Sequence, residues 1–369
     1  MKLTMNREKL LKPLQAVQGV VERRQTLPIL ANFLLVIDEG RLSVAGTDME
    51  IELVASMDLG DAEAEAGEVT VPARKLVDIC RALPADADVH LEVDGERAQL
   101  RSGRSRFSLT TLPAADFPSS DNLSLDLRLT VKQGELKRLI ELTHFAMAHQ
   151  DVRYYLNGLL LDIGDGVLKA VATDGHRLAI AELAVETGDA ARQVIVPRKG
   201  ISELLRLLGN GDEEIVLEIG PNAIQVNLPE VRLTSKLIDG NFPDYRRVVP
   251  KEDSTDKTIT VDRELLRQSL SRASILSNDK YRAIRLCLMP NVLRVVARNP
   301  EQEEAEDEVE VAYDGDELEI GFNVSYLIDA LTVLPSEEAV IHLGDSSSSC
   351  LITPTGEGDC QYVVMPMRL

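Results

Sequence analysis

One phrase occurs three times in this chain, and that repetition limits the possible folds more than any single motif does. TMNREKLLKPL from Thr4 returns as TVKQGELKRLI from Thr130 and as TVDRELLRQSL from Thr260, which sets Leu10, Leu136 and Leu266 in register. A second series agrees: TVPARKLVDIC from Thr70, IVPRKGISELL from Ile195 and GFNVSYLIDAL from Gly321, with Pro72, Pro197 and Asn323 equivalent. Self-similarity at a fixed period means one supersecondary unit built repeatedly, each copy burying its apolar face against its neighbours. The two series also resemble each other, since Thr4-Met5-Asn6 followed by Leu10 parallels Thr70-Val71-Pro72 followed by Leu76. Each third of the chain therefore holds the unit twice.

Within the unit a short β-type entry leads into a capping residue or proline (Asn6, Pro72, Pro197, Asp262 or Asn323; Lys132 is a poor cap) and then into an apolar helical stripe. Leu76, Ile79, Cys80 and Leu83 show the i, i+3, i+4, i+7 spacing, as do Leu327, Ala330, Leu331 and Leu334. Between the helices, runs such as NFLLVIDEGRLSVAGTD and LNGLLLDIGDGVLKAVATD put Glu-Gly or Asp-Gly at hairpin positions, predicting antiparallel meanders. The expected fold class is α+β: three similar domains, each of two helices and antiparallel sheets, over residues 1–125, 126–253 and 254–369. The seams follow the matching signatures AADFP and DGNFPDY.

No apolar run approaches the roughly 20 residues of a membrane span. The amino-terminal MKLTMNREKLLKPL lacks the uninterrupted apolar stretch of a signal peptide, so a cytoplasmic location is expected. Cys80, Cys287, Cys350 and Cys360 have no CxxC spacing, which predicts buried free thiols and neither metal site nor disulfide framework.

Charge constrains the partners. With 40 basic against 61 acidic residues the net charge is -21, the wrong sign for simple attraction to phosphate. Basic residues nevertheless gather on the predicted helices: Arg7, Lys9 and Lys12; Arg74, Lys75 and Arg81; Lys132, Lys137 and Arg138; Arg198, Lys199 and Arg206; Arg263, Arg267 and Arg272. Acidic stretches from Asp58 to Glu68 and Glu301 to Glu310 lie elsewhere, and the sixth helix, with Asp329, breaks the pattern. Repeated units of this kind form either an open solenoid or a closed ring. A ring lined by such helices would hold duplex backbone without reading bases.

Longer stretches carry a family likeness: TLPIL (Thr26 to Leu30), SGRSRFSL (Ser102 to Leu109), HQDVRYYLNG (His149 to Gly158), ATDGHRLA (Ala172 to Ala179), NFPDYRRV (Asn241 to Val248), NPEQEEAE (Asn299 to Glu306) and the terminal VVMPMRL. Through them the whole chain resembles the beta subunit of bacterial DNA polymerase III, the DNA sliding clamp. The resemblance implies the DNA clamp fold and a head-to-tail homodimer, a pseudo-sixfold ring that encircles duplex DNA. Such a ring acts as a processivity factor for the replicative DNA polymerase and has no catalytic residues, cofactor or metal.

The resemblance further implies a groove for short peptides from polymerases, the clamp loader and repair proteins. Its residues here would be Leu156, Thr173, Gly175, His176, Arg177 and Leu178, together with Pro243, Val248 and Ser349 and the terminal Val363, Met365, Pro366, Met367, Arg368 and Leu369. A Met- and Pro-rich chain end among aliphatic neighbours suits several partners. The implied DNA contacts are Arg24, Arg74, Gln150, Tyr154, Tyr155, Lys199 and Arg247. The segment Val21 to Arg24 departs from the family pattern, being bulkier and more charged. Ring closure would set Phe107 and Leu109 against Ile275 and Leu276, with Lys75, Ile79, Arg97, Arg104 and Arg106 facing Glu301, Glu303, Glu304 and Glu306.

Two other classes stand beside this reading: a hydrolase built on Asp174 and His176 of TDGHR, and an acidic scaffold indifferent to DNA. No GxSxG nucleophile accompanies the Asp-His pair, and no Walker or dinucleotide fingerprint is present. Ser120-Asp121-Asn122 and Ser254-x-x-Lys257 imitate serine hydrolase motifs, but stand in the wrong order and lack a KTG partner.

Overall fold

The structure is a computed structural model that describes residues 1–21, 27–118, 120, 123–251, 255–278, 280, 282–356 and 358–368. Six α-helices lie among them: α1 (Arg7–Val17), α2 (Ala73–Ala82), α3 (Gln133–Glu141), α4 (Arg198–Leu207), α5 (Arg263–Ser274) and α6 (Val324–Val333). Each follows a strand with no intervening residue, as Lys2–Asn6 runs into α1 and Leu318–Asn323 into α6. The junction side chains explain the abrupt change. Asn6, Asp262 and Asn323 accept the backbone N–H of Glu8, Leu265 and Ser325 at 2.8–2.9 Å, satisfying donors that a helix start leaves open. Pro72 caps without a side-chain bond. None of the described helices is long and apolar enough to cross a membrane.

The first residues of the odd-numbered helices serve a purpose that the helical periodicity does not announce. Arg7 donates to the carbonyl of Leu83 at the end of α2 through Nε (3.1 Å) and Nη2 (2.8 Å). Arg263 donates to Leu331 and Leu334 at the end of α6. At the equivalent position Gln133 accepts from the N–H of Gly209 (2.9 Å) and donates to Glu213 (2.7 Å). Arg7 and Arg263, grouped in the sequence with the basic helix residues that would line a ring, instead neutralise the partly negative carbonyl ends of the second helices. Arg198 similarly donates to the carbonyl of Met147 at 3.3 Å.

The chain packs into two compact units, residues 1–134 with 199–237, and 135–198 with 238–369. Among the described residues, the first contains a five-stranded and an eight-stranded sheet, the second an eight-stranded and a four-stranded sheet, and every strand pair is antiparallel. In the first unit Val231–Lys236 pairs with Ile51–Asp58, opposing Leu233 to Leu53. In the second, Cys360–Val364 pairs with Arg177–Ala184, opposing Val363 to Leu178. Each large sheet thus continues from one repeat into the next. The expected hairpins form: Glu39-Gly40 and Asp165-Gly166 hold both central residues at positive φ, the geometry whose twist matches that of paired strands.

Beneath the sheets the helical stripes close the cores. Leu76, Val77 and Cys80 of α2 have no exposure, and burying a Leu or Val side chain contributes about 1.5–3 kcal/mol. Cys80, Cys350 and Cys360 are buried, whereas Cys287 is half-buried. Burial pushes the Cys80 thiol up to about 11.

Internal duplication extends to individual hydrogen bonds. In the turn after Arg41–Thr47, Thr47 Oγ1 donates to the carbonyl of Ile51 and accepts from Met49 N–H, while Asp48 Oδ1 accepts from Glu50 and Ile51. In the turn after Val167–Thr173, Thr173 and Asp174 make the same four bonds to Arg177, Gly175, His176 and Arg177.

Candidate functional site

The second of these twin turns borders an apolar cavity of about 210 Å³. Gly175 takes the left-handed conformation at φ +89°. Arg177 then anchors the turn: its Nε donates to Asp174 Oδ2 (3.1 Å), Nη1 to Asp329 Oδ2 (2.5 Å) and Nη2 to the Phe145 carbonyl (2.9 Å). The guanidinium also lies between two rings, 5.2 Å from the centroid of Phe145 and 4.6 Å from that of Tyr326. With only 12% of its side chain exposed, this cation is held by charge, hydrogen bonds and ring faces together.

The chain end supplies the facing wall. Beyond the strand Cys360–Val364, the N–H of Met365 donates to the His176 carbonyl (2.9 Å) and that of Met367 to Gly321 (2.8 Å). Met365 thereby stands at the rim with 37% exposure. The cavity floor belongs to a continuous core of Leu160, Val171, Leu178, Ile180, Tyr245 and Val363, so its shape is set by the packing of the fold itself.

Of the residues expected in a groove, Leu156, Thr173, Gly175, Arg177 and Leu178 line the cavity, as do Pro243, Val248, Val363 and Met365. Ser349, Pro366, Met367 and Arg368 lie outside its lining, and Leu369 falls outside the described residues. His176 is also outside it, its ring stacked on Tyr326 at 6.4 Å between centroids. Three lining residues were not anticipated: Arg153, Phe242 and Tyr245. All three sit inside the HQDVRYYLNG and NFPDYRRV motifs, which were the available signal. The Tyr245 hydroxyl donates to Asp162 at 2.7 Å, and burial first, then this carboxylate, raises its pKa.

Asp174 and His176 do not form an acid-base pair. They occupy a turn rather than a strand, and the Asp174 oxygens accept from backbone N–H groups and from Arg177. Among the described residues no group of three His, Cys, Asp or Glu is placed to hold a metal.

The residues expected to touch DNA differ in accessibility. Gln150 is exposed at φ +55°, and Tyr154 is 56% exposed, edge-on to Tyr155 at 5.7 Å. Tyr155 packs against the pocket's core. Arg247 is exposed and pairs with Asp244 at 2.8 Å. Lys199 forms an ion pair with Asp48, and Arg74 is half-buried, its Nη2 directed at the Val21 carbonyl at 3.4 Å. Arg24 falls outside the described residues.

Two sheet edges carry opposite charge. Ser105–Thr110 ends the five-stranded sheet, with Arg104 and Arg106 exposed; Glu304–Glu310 ends the four-stranded one, with Glu304 and Glu306 exposed. Arg97 and Lys75 are exposed and Ile79 is half-buried, as are Phe107 and Leu276, whereas Ile275 is 77% exposed. Leu109 is 6% exposed, so most of its surface lies in its own core. Glu301 and Glu303 are exposed, while Glu304 pairs with Arg298 and Glu306 with Arg294.

Comparison with known proteins assigns the whole chain. Family models of the DNA polymerase III beta subunit match as its N-terminal domain over residues 1–123, its central domain over 130–244 and its C-terminal domain over 246–368. The beta sliding clamp of Pseudomonas aeruginosa is 54% identical and that of Escherichia coli K12 51%, each covering 100% of both chains. Among solved structures, the Pseudomonas aeruginosa DNA polymerase III subunit beta superposes with a TM-score of 0.97 at 53% identity, and Caulobacter crescentus pol III beta with 0.94 at 41%, both covering 100% of each chain. The chain belongs to the DNA polymerase III beta subunit family: it has the three-domain clamp fold and is a DNA sliding clamp, the non-catalytic processivity factor of a replicative DNA polymerase.

Proposed function

We propose that two copies join head to tail into a ring around duplex DNA, and that the 210 Å³ pocket receives short peptides from the replicative polymerase, the clamp loader and other polymerases and repair proteins. The observation that carries this reading is the pocket itself: an apolar cavity floored by the fold's own core, beside a chain end whose methionine is exposed. A flexible thioether accommodates different side chains without a fixed shape. Oppositely charged sheet edges support the closure, with Phe107 meeting Ile275 and Leu276 and the acidic strand of one copy beside the basic strand of the other. Domains over 1–125, 126–253 and 254–369 give each copy three clamp domains, in keeping with the spans of the three family models.

On this reading the DNA is held through local cations and exposed loops, since the net charge of -21 repels it from the bulk surface. Gln150 and Arg247 are the accessible contacts, Tyr154 offers a ring for a single-stranded base, and Lys199 and Arg74 are the partly buried cations, already in contact with Asp48 and the Val21 carbonyl. The protein acts in the cytoplasm. The test is to load it onto nicked circular DNA with a clamp loader and ATP, then measure retention at high salt before and after linearising the circle. Retention on circles and loss from linear ends is expected, and equal retention on both would replace the ring with adhesive binding. Deleting residues 365–369 should abolish polymerase binding while leaving the dimer; unchanged binding would remove the groove assignment.

A further inference from the structure

The tyrosine loop reaches the pocket through Arg153. Arg153 lines the cavity, yet it belongs to the segment that exposes Gln150, Val152 (95%) and Tyr154. Its guanidinium forks onto Asp151 through Nε (3.0 Å) and Nη2 (2.8 Å), and its own N–H donates to the same carboxylate (2.8 Å). Asp151 is held in turn by Asn157, which accepts its N–H and donates to its carbonyl, both at 2.9 Å. The segment from Asp151 to Asn157 is therefore a small closed body carrying the guanidinium with it.

Arg153 joins that body to the pocket's turn. Nη2 of Arg153 donates to the Asp174 carbonyl at 3.1 Å, and a Cβ placed on Gly175 would stand 2.8 Å from Nη1. The guanidinium thus rests directly on the glycine of the turn and forms part of the pocket mouth. Its bond there is to a neutral carbonyl, and a phosphate oxygen, which carries a full opposite charge, is the stronger acceptor for a guanidinium.

We propose that Arg153 is a positioning residue coupling nucleic acid on the Gln150–Tyr155 loop to peptide in the pocket. Phosphate at the loop draws the guanidinium off Gly175, the mouth opens, and peptide binds more tightly. Linkage makes the effect mutual, so peptide in the pocket raises the loop's affinity for DNA by the same factor. The inference rests on the reading of this cavity as a peptide site and of this loop as a DNA contact.

Anisotropy of a fluorescein-labelled synthetic peptide copying the clamp-binding segment of the replicative polymerase tests it on the full-length protein. The titration is run with and without a saturating primed duplex that carries a single-stranded tail. Duplex should tighten peptide binding by about fivefold, the lower end of typical coupling between sites. Arg153→Ala, at a side chain 45% exposed, should bind peptide without DNA as tightly as the wild type does with it, and should show no response to duplex. Arg153→Lys, which keeps the charge but not the fork, should retain part of the response. A merely structural role would change both titrations equally and leave their ratio intact, which overturns the coupling. Wild-type affinity that is the same with and without bound duplex overturns it as well, while leaving the peptide site standing. Absence of peptide binding under both conditions would remove the groove reading and the coupling with it.

Discussion

Arg177 holds its guanidinium 4.6 Å from the centre of the Tyr326 ring, one helical turn before Asp329, which takes the same side chain's Nη1–H. The pair fastens the turn at Gly175 to α6, and Met365 hangs from that turn through the His176 carbonyl. A lysine has neither the planar face for Tyr326 nor the fork for Asp174 and Asp329. Arg177→Lys should therefore loosen the Met365 anchor by about 2 kcal/mol, or roughly thirtyfold in amide exchange of Met365. An unchanged exchange rate would mean that the chain end is held independently of Arg177.

What the sequence disclosed follows from what repeats or has local chemistry. The Glu39-Gly40 and Asp165-Gly166 hairpins were legible as turn dipeptides between alternating runs, and Asn6, Asp262 and Asn323 as caps, because each acts within four residues of itself. Arg7 and Arg263 were misread because the carbonyls they reach are 68 to 76 residues away. Lys199 looked like a free cation for the same reason, its partner Asp48 lying in another repeat. Of the pocket, the aliphatic walls and Met365 were foreseen through the family resemblance. Arg153 was not, since nothing in its immediate sequence indicates that a loop arginine folds back over Gly175.

The Asp151 carboxylate offers a spectroscopic view of the loop. Hydrogen bonds from the Arg153 side chain and backbone lower its pKa from 3.8 to about 2. A depressed carboxylate pKa favours the folded arrangement above the unfolded value and loses that contribution as pH falls through the folded one. The Asp151–Arg153 fork should thus be intact at neutral pH and dissolve between pH 3.8 and about 2. NMR titration of the carboxyl carbon should return it toward 3.8 in Arg153→Ala; a midpoint still near 2 would show that another group holds the charge.

The proposed ring closure makes a separate prediction. Ile275 is 77% exposed, whereas the ion pairs at such a rim contribute only about 0 to 1 kcal/mol each. Apolar contact, not charge, should then hold the dimer. Ile275→Ala combined with Leu276→Ala is expected to give monomers by light scattering, while Arg104→Glu should chiefly slow association and alter its salt dependence. A persistent dimer in the double variant would place the interface elsewhere.

Gly175 separates backbone strain from contact with Arg153. Its twin position in the first turn is Met49, which stands at φ +79° with a side chain, against +89° for Gly175. The turn therefore tolerates a Cβ, at a cost of about 1 kcal/mol for leaving the preferred region. At Gly175 a methyl group meets a second obstacle, the Arg153 guanidinium 2.8 Å away. Gly175→Ala should accordingly cost more in the wild-type background than in Arg153→Ala, where only the backbone cost remains. The two substitutions should be non-additive by about 0.5 to 1 kcal/mol, the lower end of the range found for groups in contact. Amide exchange at His176 and Arg177, whose N–H groups Asp174 holds, reads the local opening of this turn in all four proteins. Strict additivity would mean that the guanidinium does not bear on the turn, and would leave the loop and the pocket as independent sites.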